Sequence, residues 1–174
     1  MRETVRTMTV ERVYLVGFMG AGKTSVGRAL AAQLGWSFVD LDSEIERSQR
    51  MAIRDIFQKS GEANFRRLEG EHLKTLSARP HAVIALGGGA TIDLKNRLVI
   101  ESTGTSVWLS VTFETASRRV STDGSRPLFK DPVHAEQLYE ERLPIYRLAR
   151  IHVLADNRSP ADIADEVVLR LREL

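Results

Sequence analysis

The 174-residue sequence predicts an α/β protein, a three-layer α/β/α P-loop fold in which helices cover both faces of a parallel sheet. Three observations predict it. Segments with strand character alternate with segments of helical spacing along the whole chain. The strand segments are short and almost continuously apolar, the pattern of strands buried on both faces of a parallel sheet. The first of them runs into a glycine-rich loop that opens a helix, the setting of a phosphate-binding loop.

Residues 12–16 (Arg-Val-Tyr-Leu-Val) are a short apolar run ending at glycine, hence a buried strand. Residues 23–34 carry Val26, Leu30 and Leu34 at helical spacing, and Gly35 stops the helix. Residues 36–39 form a second strand, ending at Asp40. Residues 43–60 read as one or two helices, and residues 62–76 as a helix with Phe65, Leu68, His72 and Leu76 near one face. Residues 82–86 (Ala-Val-Ile-Ala-Leu) are a continuous apolar run, a central strand that ends in Gly87-Gly88-Gly89. A helix over 93–102, a strand over 106–109 and a helix over 113–120 follow. Residues 121–132 are rich in turn formers and charge, so a long surface loop is expected there, of the kind that serves as a mobile lid. Residues 151–154 are the last strand and 160–171 the closing helix.

Composition narrows the function. Apolar residues make up 43% of the chain, enough for a core, and the net charge is only +2. A nucleic-acid partner calls for a clustered basic stripe, which is not seen. The basic surplus is mostly arginine, whose planar fork grips carboxylate and phosphate bidentately. Cysteine is absent, which excludes disulfides, cysteine-ligated zinc and a thiol nucleophile. No apolar run approaches the roughly 20 residues that span a bilayer, and the first residues are polar with no secretory core. A cytoplasmic protein without a membrane partner is expected. No heptad pattern or long apolar stripe is visible, so a monomer is expected.

Gly17-Phe18-Met19-Gly20-Ala21-Gly22-Lys23-Thr24 matches the phosphate-loop pattern G-x-x-x-x-G-K-[ST] in full. Its backbone N–H groups, from Gly20, Ala21, Gly22, Lys23, Thr24 and Ser25, and the positive end of the following helix suit the phosphates of ATP. Lys23 is expected to reach the β- and γ-phosphates, and Thr24 to ligate Mg²⁺. That cation also takes a carboxylate. The strand over 82–86 ends in glycine, so the carboxylates available are Asp40 and Asp42, at the end of the second strand. In a parallel sheet the C-terminal strand ends share one crevice. Asp40, nearer the strand, is read as the metal ligand, and Asp42 as lying toward the second substrate. A helix N-cap from Asp42 or Ser43, with Glu46 three or four residues on, is compatible with that role. No guanine-reading Asn-Lys-x-Asp motif occurs, which disfavours a GTPase.

With these residues in place the chain resembles the shikimate kinases, almost end to end. The stretches that carry the likeness are the phosphate loop, Asp40-Leu41-Asp42, Asp55-Ile56-Phe57, Gly61 to Glu69 (with Phe65-Arg66-Arg67-Leu68-Glu69), Leu86-Gly87-Gly88-Gly89-Ala90, Arg126-Pro127-Leu128 and Arg142-Leu143-Pro144-Ile145-Tyr146. The resemblance implies a single domain over 1–174 with a five-stranded parallel sheet and a nucleoside-monophosphate-kinase-like core. Its substrate-binding helices would span about 43–76 and its lid about 121–132. It implies transfer of the ATP γ-phosphoryl group to the 3-hydroxyl of shikimate, with Mg²⁺. By that likeness Asp42 contacts the ring hydroxyls and is the candidate base. Arg66 and Arg142 hold the shikimate carboxylate with a backbone N–H of Gly88, in the Gly87–Gly89 turn. Glu69 orients Arg66, and Phe57 and Phe65 wall the pocket. Arg126 touches the transferring phosphate and the substrate from the lid, and Arg119 and Arg158 flank the adenine.

Three other readings share parts of this pattern. A gluconate kinase also handles a carboxylate and hydroxyls, a nucleoside monophosphate kinase shares the core, and a non-catalytic nucleotide-binding relative would keep the fold. The pairing of Asp-x-Asp with Phe-Arg-x-x-Glu argues against the first, and the presence of Lys23, Asp40, Asp42, Arg66, Arg126 and Arg142 against the last. His72, His81, His134 and His152 fit no catalytic or metal pattern. The family often has glycine where Arg50 stands, which singles out the turn between the helices after Asp42.

Overall fold

The computed structural model describes residues 10–120 and 131–174. The elements run β1 (Arg12–Val16), α1 (Lys23–Leu34), β2 (Ser37–Asp40), α2 (Leu41–Gln49), α3 (Ile53–Leu76), β3 (Ala82–Ala85), α4 (Leu94–Thr103), β4 (Thr105–Ser110), α5 (Phe113–Arg119), α6 (Pro132–Tyr146), β5 (Ile151–Leu154) and α7 (Pro160–Arg172). The sheet has five strands in the order β2-β3-β1-β4-β5, all paired in parallel.

Side-chain alternation along β1 shows both faces to be covered. The hydroxyls of Tyr14 and Thr103, at the end of α4, are hydrogen-bonded at 2.7 Å, whereas Leu15 packs close to Gly27 of α1. Successive residues of a strand point to opposite faces, so α4 and α1 lie on opposite sides. The middle strands β1, β3 and β4 are buried nearly throughout, while the edge strands β2 and β5 are partly open. That contrast is what made the middle strands the plainest in the sequence. Helix α1 packs on α7, and α3 on α4. Among the described residues no helix is long and apolar enough to cross a membrane.

Several boundaries differ from expectation. The second strand runs through Asp40, and α2 starts two residues before position 43, because the cap is Asp40, whose Oδ1 accepts from the Ser43 N–H at 3.2 Å. Neither Asp42 nor Ser43 caps; both lie inside the first turn. Residues 53–76 form one element interrupted at Gly61, where φ is 77° and ψ 169°. The segment with no expected element after 132 is α6. It carries no clear apolar stripe, and Pro144 lies inside its C-terminal turn, so both sequence signals for a helix were weak there. Of the expected lid, residues 121–130 lie outside the described residues, and Asp131 caps α6 through its Oδ1.

Arg50 sits at the C-terminus of α2 with φ 51° and ψ 39°, the left-handed region. This is the conformation glycine adopts freely, which fits the glycine that the resemblance implies at this turn. A side chain there costs roughly 1–2 kcal/mol, part of which is offset by glycine's greater freedom when unfolded, roughly 0.5–1 kcal/mol. Arg50→Gly is expected to raise stability by about 0.5–1 kcal/mol and Tm by about 1–4 °C, read by thermal denaturation.

Candidate active site

The phosphate loop leaves β1 and returns as the first turn of α1. Gly20 adopts φ 79°, and a Cβ on it would lie 2.6 Å from the Ala116 carbonyl oxygen, so the loop can pack against α5 only without a side chain. At the start of α1 Gly22 provides no side-chain cap, which leaves the first N–H groups of the helix for an anion. The Lys23 ammonium folds over the loop and donates to the carbonyls of Gly17 (2.7 Å) and Phe18 (2.9 Å).

Asp40 divides its carboxylate between two tasks. Oδ1 caps α2, and Oδ2 accepts from the Thr24 hydroxyl at 2.8 Å. A hydroxyl and a carboxylate oxygen this close are hard donors of the kind Mg²⁺ accepts, and that ion commonly takes one or two protein carboxylates and completes its shell with phosphate and water. Thr24 and Asp40 therefore fit the cation expected from the sequence.

The second half of the site is built on the turn after β3, whose glycines each face functional side chains. A Cβ on Gly87 would lie 2.7 Å from Asp42 Oδ1 and 3.0 Å from Glu69 Oε1. One on Gly88 would lie 3.1 Å from Arg142 Nη1, and one on Gly89 2.5 Å from Arg66 Nη2. Any larger residue in this turn would displace a carboxylate or a guanidinium.

Arg66 donates to Glu69 Oε2 at 2.9 Å and to Glu62 Oε1 at 3.2 Å, and lies over the Phe65 ring at 5.2 Å. Phe65 in turn contacts Phe57, with ring centroids 4.9 Å apart. Arg142, on α6, is 3% exposed, and its Nε has no partner among the described residues. Its guanidinium lies 5.9 Å from the centre of the Phe18 ring, next to the phosphate loop.

Glu69 is 1% exposed. Burial pushes its carboxyl up to about 7, against the opposing pull of the Arg66 guanidinium. Burial also works against the charge of Arg66, but Glu69 and Glu62 together hold its pKa above the ordinary value.

One cleft of about 560 Å³ joins the two halves, lined by Gly20, Gly22, Lys23, Thr24, Ser25 and Asp40 on one side and Asp42, Phe57, Phe65, Arg66, Glu69, Gly87, Gly88, Gly89 and Arg142 on the other, with Arg119 at the rim. Of the other residues singled out in the sequence, Ala21 is buried beneath the loop. Arg119 donates to the Gly20 carbonyl at 3.4 Å. Arg158 is not among the cleft-lining residues. Its guanidinium donates to Glu166 Oε2 at 2.6 Å and to the carbonyls of Leu154 and Asp162. Arg126 lies outside the described residues. Sequence reasoning gave no part in binding or catalysis to Glu46 or Tyr146. Glu46 lines the cleft one helical turn beyond Asp42, a spacing that could have flagged it. Tyr146, the last residue of the Arg-x-Pro-x-Tyr stretch, reaches the Gly88 carbonyl.

Comparison with known proteins agrees with this geometry. A family model described as shikimate kinase matches residues 19–172. A shikimate kinase of Sulfurihydrogenibium sp. is 40% identical over 94% of this chain and 99% of its own length. The solved structure of the shikimate kinase from Acinetobacter baumannii in complex with shikimate is 36% identical, covers 95% of both chains and superposes with a TM-score of 0.92. A gluconokinase from Sinorhizobium meliloti, 20% identical with a TM-score of 0.58 over 94% of this chain and 92% of its own, shares the fold alone.

Proposed function

The chain belongs to the shikimate kinase family, and on that premise we propose that it transfers the γ-phosphoryl group of ATP to the 3-hydroxyl of shikimate, with the residue roles that follow. The observation that carries this reading is the meeting, in one cleft, of a phosphate loop with the Asp42 carboxylate and two guanidiniums gathered on one glycine turn. A phosphate donor binds at Lys23 and the start of α1. A small hydroxy acid binds opposite, its carboxylate between Arg66 and Arg142 and its ring against Phe57 and Phe65.

In the reaction the 3-hydroxyl oxygen forms a bond to the γ-phosphorus while the bond from that phosphorus to the ADP oxygen breaks. The hydroxyl proton passes to the Asp42 carboxylate. Phosphoryl transfer proceeds through a loose transition state, so alignment and charge neutralisation dominate. Lys23 leaves its two carbonyl partners to neutralise the phosphate oxygens. Thr24 and Asp40 would hold Mg²⁺, which when bound offsets charge on the phosphates. Arg126 keeps the role given by the resemblance, on the transferring phosphate. Arg119 borders the nucleotide end of the cleft. The same proposal takes the enzyme as monomeric and cytoplasmic.

A coupled assay of ADP release from Mg·ATP tests the reading. ADP release should depend on shikimate, with neither gluconate nor a nucleoside monophosphate able to replace it. Release without any acceptor dependence would overturn it.

Glu69 adds a pH dependence. Its folded-state pKa of about 7 lies above the ordinary carboxylate value. The stability that accompanies its protonation is therefore fully present below that ordinary value and is lost as pH rises through about 7. A substrate carboxylate on Arg66 adds negative charge beside Glu69 and raises its pKa further. Shikimate binding should thus take up protons near neutral pH, and affinity should fall as pH rises through about 7. Calorimetric titration in buffers of different ionisation enthalpy should show this uptake, and Glu69→Gln should abolish it.

A further inference from the structure

Arg142 and Tyr146 lie four residues apart on α6 and so share one face of the helix. Both meet the same glycine. The Tyr146 hydroxyl donates to the Gly88 carbonyl at 2.6 Å, and a Cβ on Gly88 would lie 3.5 Å from that hydroxyl and 3.1 Å from Arg142 Nη1. The Tyr146 ring is 1% exposed and lies beside Trp108, centroids 6.3 Å apart, so it has little room to move.

The bond has a consequence for the residue that follows. All peptide bonds of the described residues are trans, and across a planar trans peptide the carbonyl and the next N–H point in opposite directions. Holding the Gly88 carbonyl against α6 therefore directs the Gly89 N–H away from α6. Among the described residues the N–H groups of Gly88 and Gly89 donate to no protein acceptor. Glycine gives this turn no side chain of its own to fix the peptide planes. The phenol does so from outside. A phenylalanine would fill the same space but leave the carbonyl without its donor.

We propose that Tyr146 is a positioning residue for the carboxylate of the phosphoryl acceptor: its hydroxyl locks the 88–89 peptide plane, so that the Gly89 N–H on one side and the Arg142 guanidinium on the side of α6 keep fixed places around the anion. This rests on the reading of Arg66 and Arg142 as the carboxylate clamp. Tyr146 touches neither substrate nor the reacting atoms in this scheme. It acts through the turn and through the neighbouring Arg142 guanidinium, which its hydroxyl also meets.

The test compares Tyr146→Phe with the wild type on two acceptors, shikimate and the analogue whose carboxylate is reduced to a hydroxymethyl group, with thermal stability measured alongside. Loss of one buried hydrogen bond that orders the seat predicts a rise of about 3- to 10-fold in KM for shikimate. KM for ATP should stay unchanged, and KM for the hydroxymethyl analogue should not move. Gly88 and Gly89 amide resonances should shift in the unliganded variant. A lower Tm with an unmoved shikimate KM would overturn the proposal, as would an equal rise for both acceptors or a variant that no longer folds. Any of these would make the hydroxyl a structural tie. If the wild type itself failed to distinguish the two acceptors, the clamp would fall, and this inference with it.

Discussion

Asp42→Asn is expected to lower kcat for shikimate phosphorylation by about 10²- to 10⁴-fold, the range for losing a positioned proton acceptor. Asparagine matches aspartate in size and can still hydrogen-bond a hydroxyl, but it cannot take the proton. Asp42 Oδ1 lies at the Gly87 turn, while Lys23 and Thr24 sit at the phosphate loop. Affinity for ATP should therefore stay close to that of the wild type. The helix should survive as well, because the cap of α2 is Asp40 and not Asp42. Steady-state kinetics with a separate nucleotide titration reads both effects. A variant that kept most of its kcat would remove Asp42 from the proton step.

Arg66→Ala is expected to raise KM for shikimate by about 10- to 150-fold, with a smaller fall in kcat. The magnitude follows from losing hydrogen bonds to a charged partner, each about 1.5–3 kcal/mol. Arginine is suited to this task because its fork faces a carboxylate with two parallel N–H groups. The substitution has a second effect. Glu69, 1% exposed, would lose the guanidinium that supports its charge and would take up a proton instead. An unchanged KM for shikimate would place the acceptor's carboxylate elsewhere.

What could be read from the sequence follows how local each feature is. The phosphate loop was legible because its consecutive residues, the strand before it and the helix after it form one continuous segment. Asp40 and Asp42 were legible as two carboxylates at the end of β2, and both line the cleft. The cap was assigned two or three residues too late, because the division of Asp40 between Oδ1 and Oδ2 depends on Thr24, a residue of another element. The convergence of Arg66 and Arg142 could be expected only from the family likeness. It requires the glycine turn to bring α3 and α6 to one point, and no local pattern records that. Helix α6 itself escaped because it presents no stripe and carries Pro144. Arg158 shows the opposite case. The family likeness placed it beside the adenine, yet its guanidinium pairs with Glu166 on α7 and does not line the cleft.

The strand order sets when this enzyme can first exist during its own synthesis. β1 is the first strand made, but its neighbours are β3 and β4, so its register with Ala82 and Thr105 must wait for chain far downstream. Pairings between distant segments form slowly, because the intervening loop must be closed before the contact gives anything back. The edge pair β4–β5 comes later still. A nascent chain ending before Ala82 has no partner strand for β1, although it already contains every residue of the phosphate loop. The cradle that reads as the most local element of the sequence thus depends on strands made well after it.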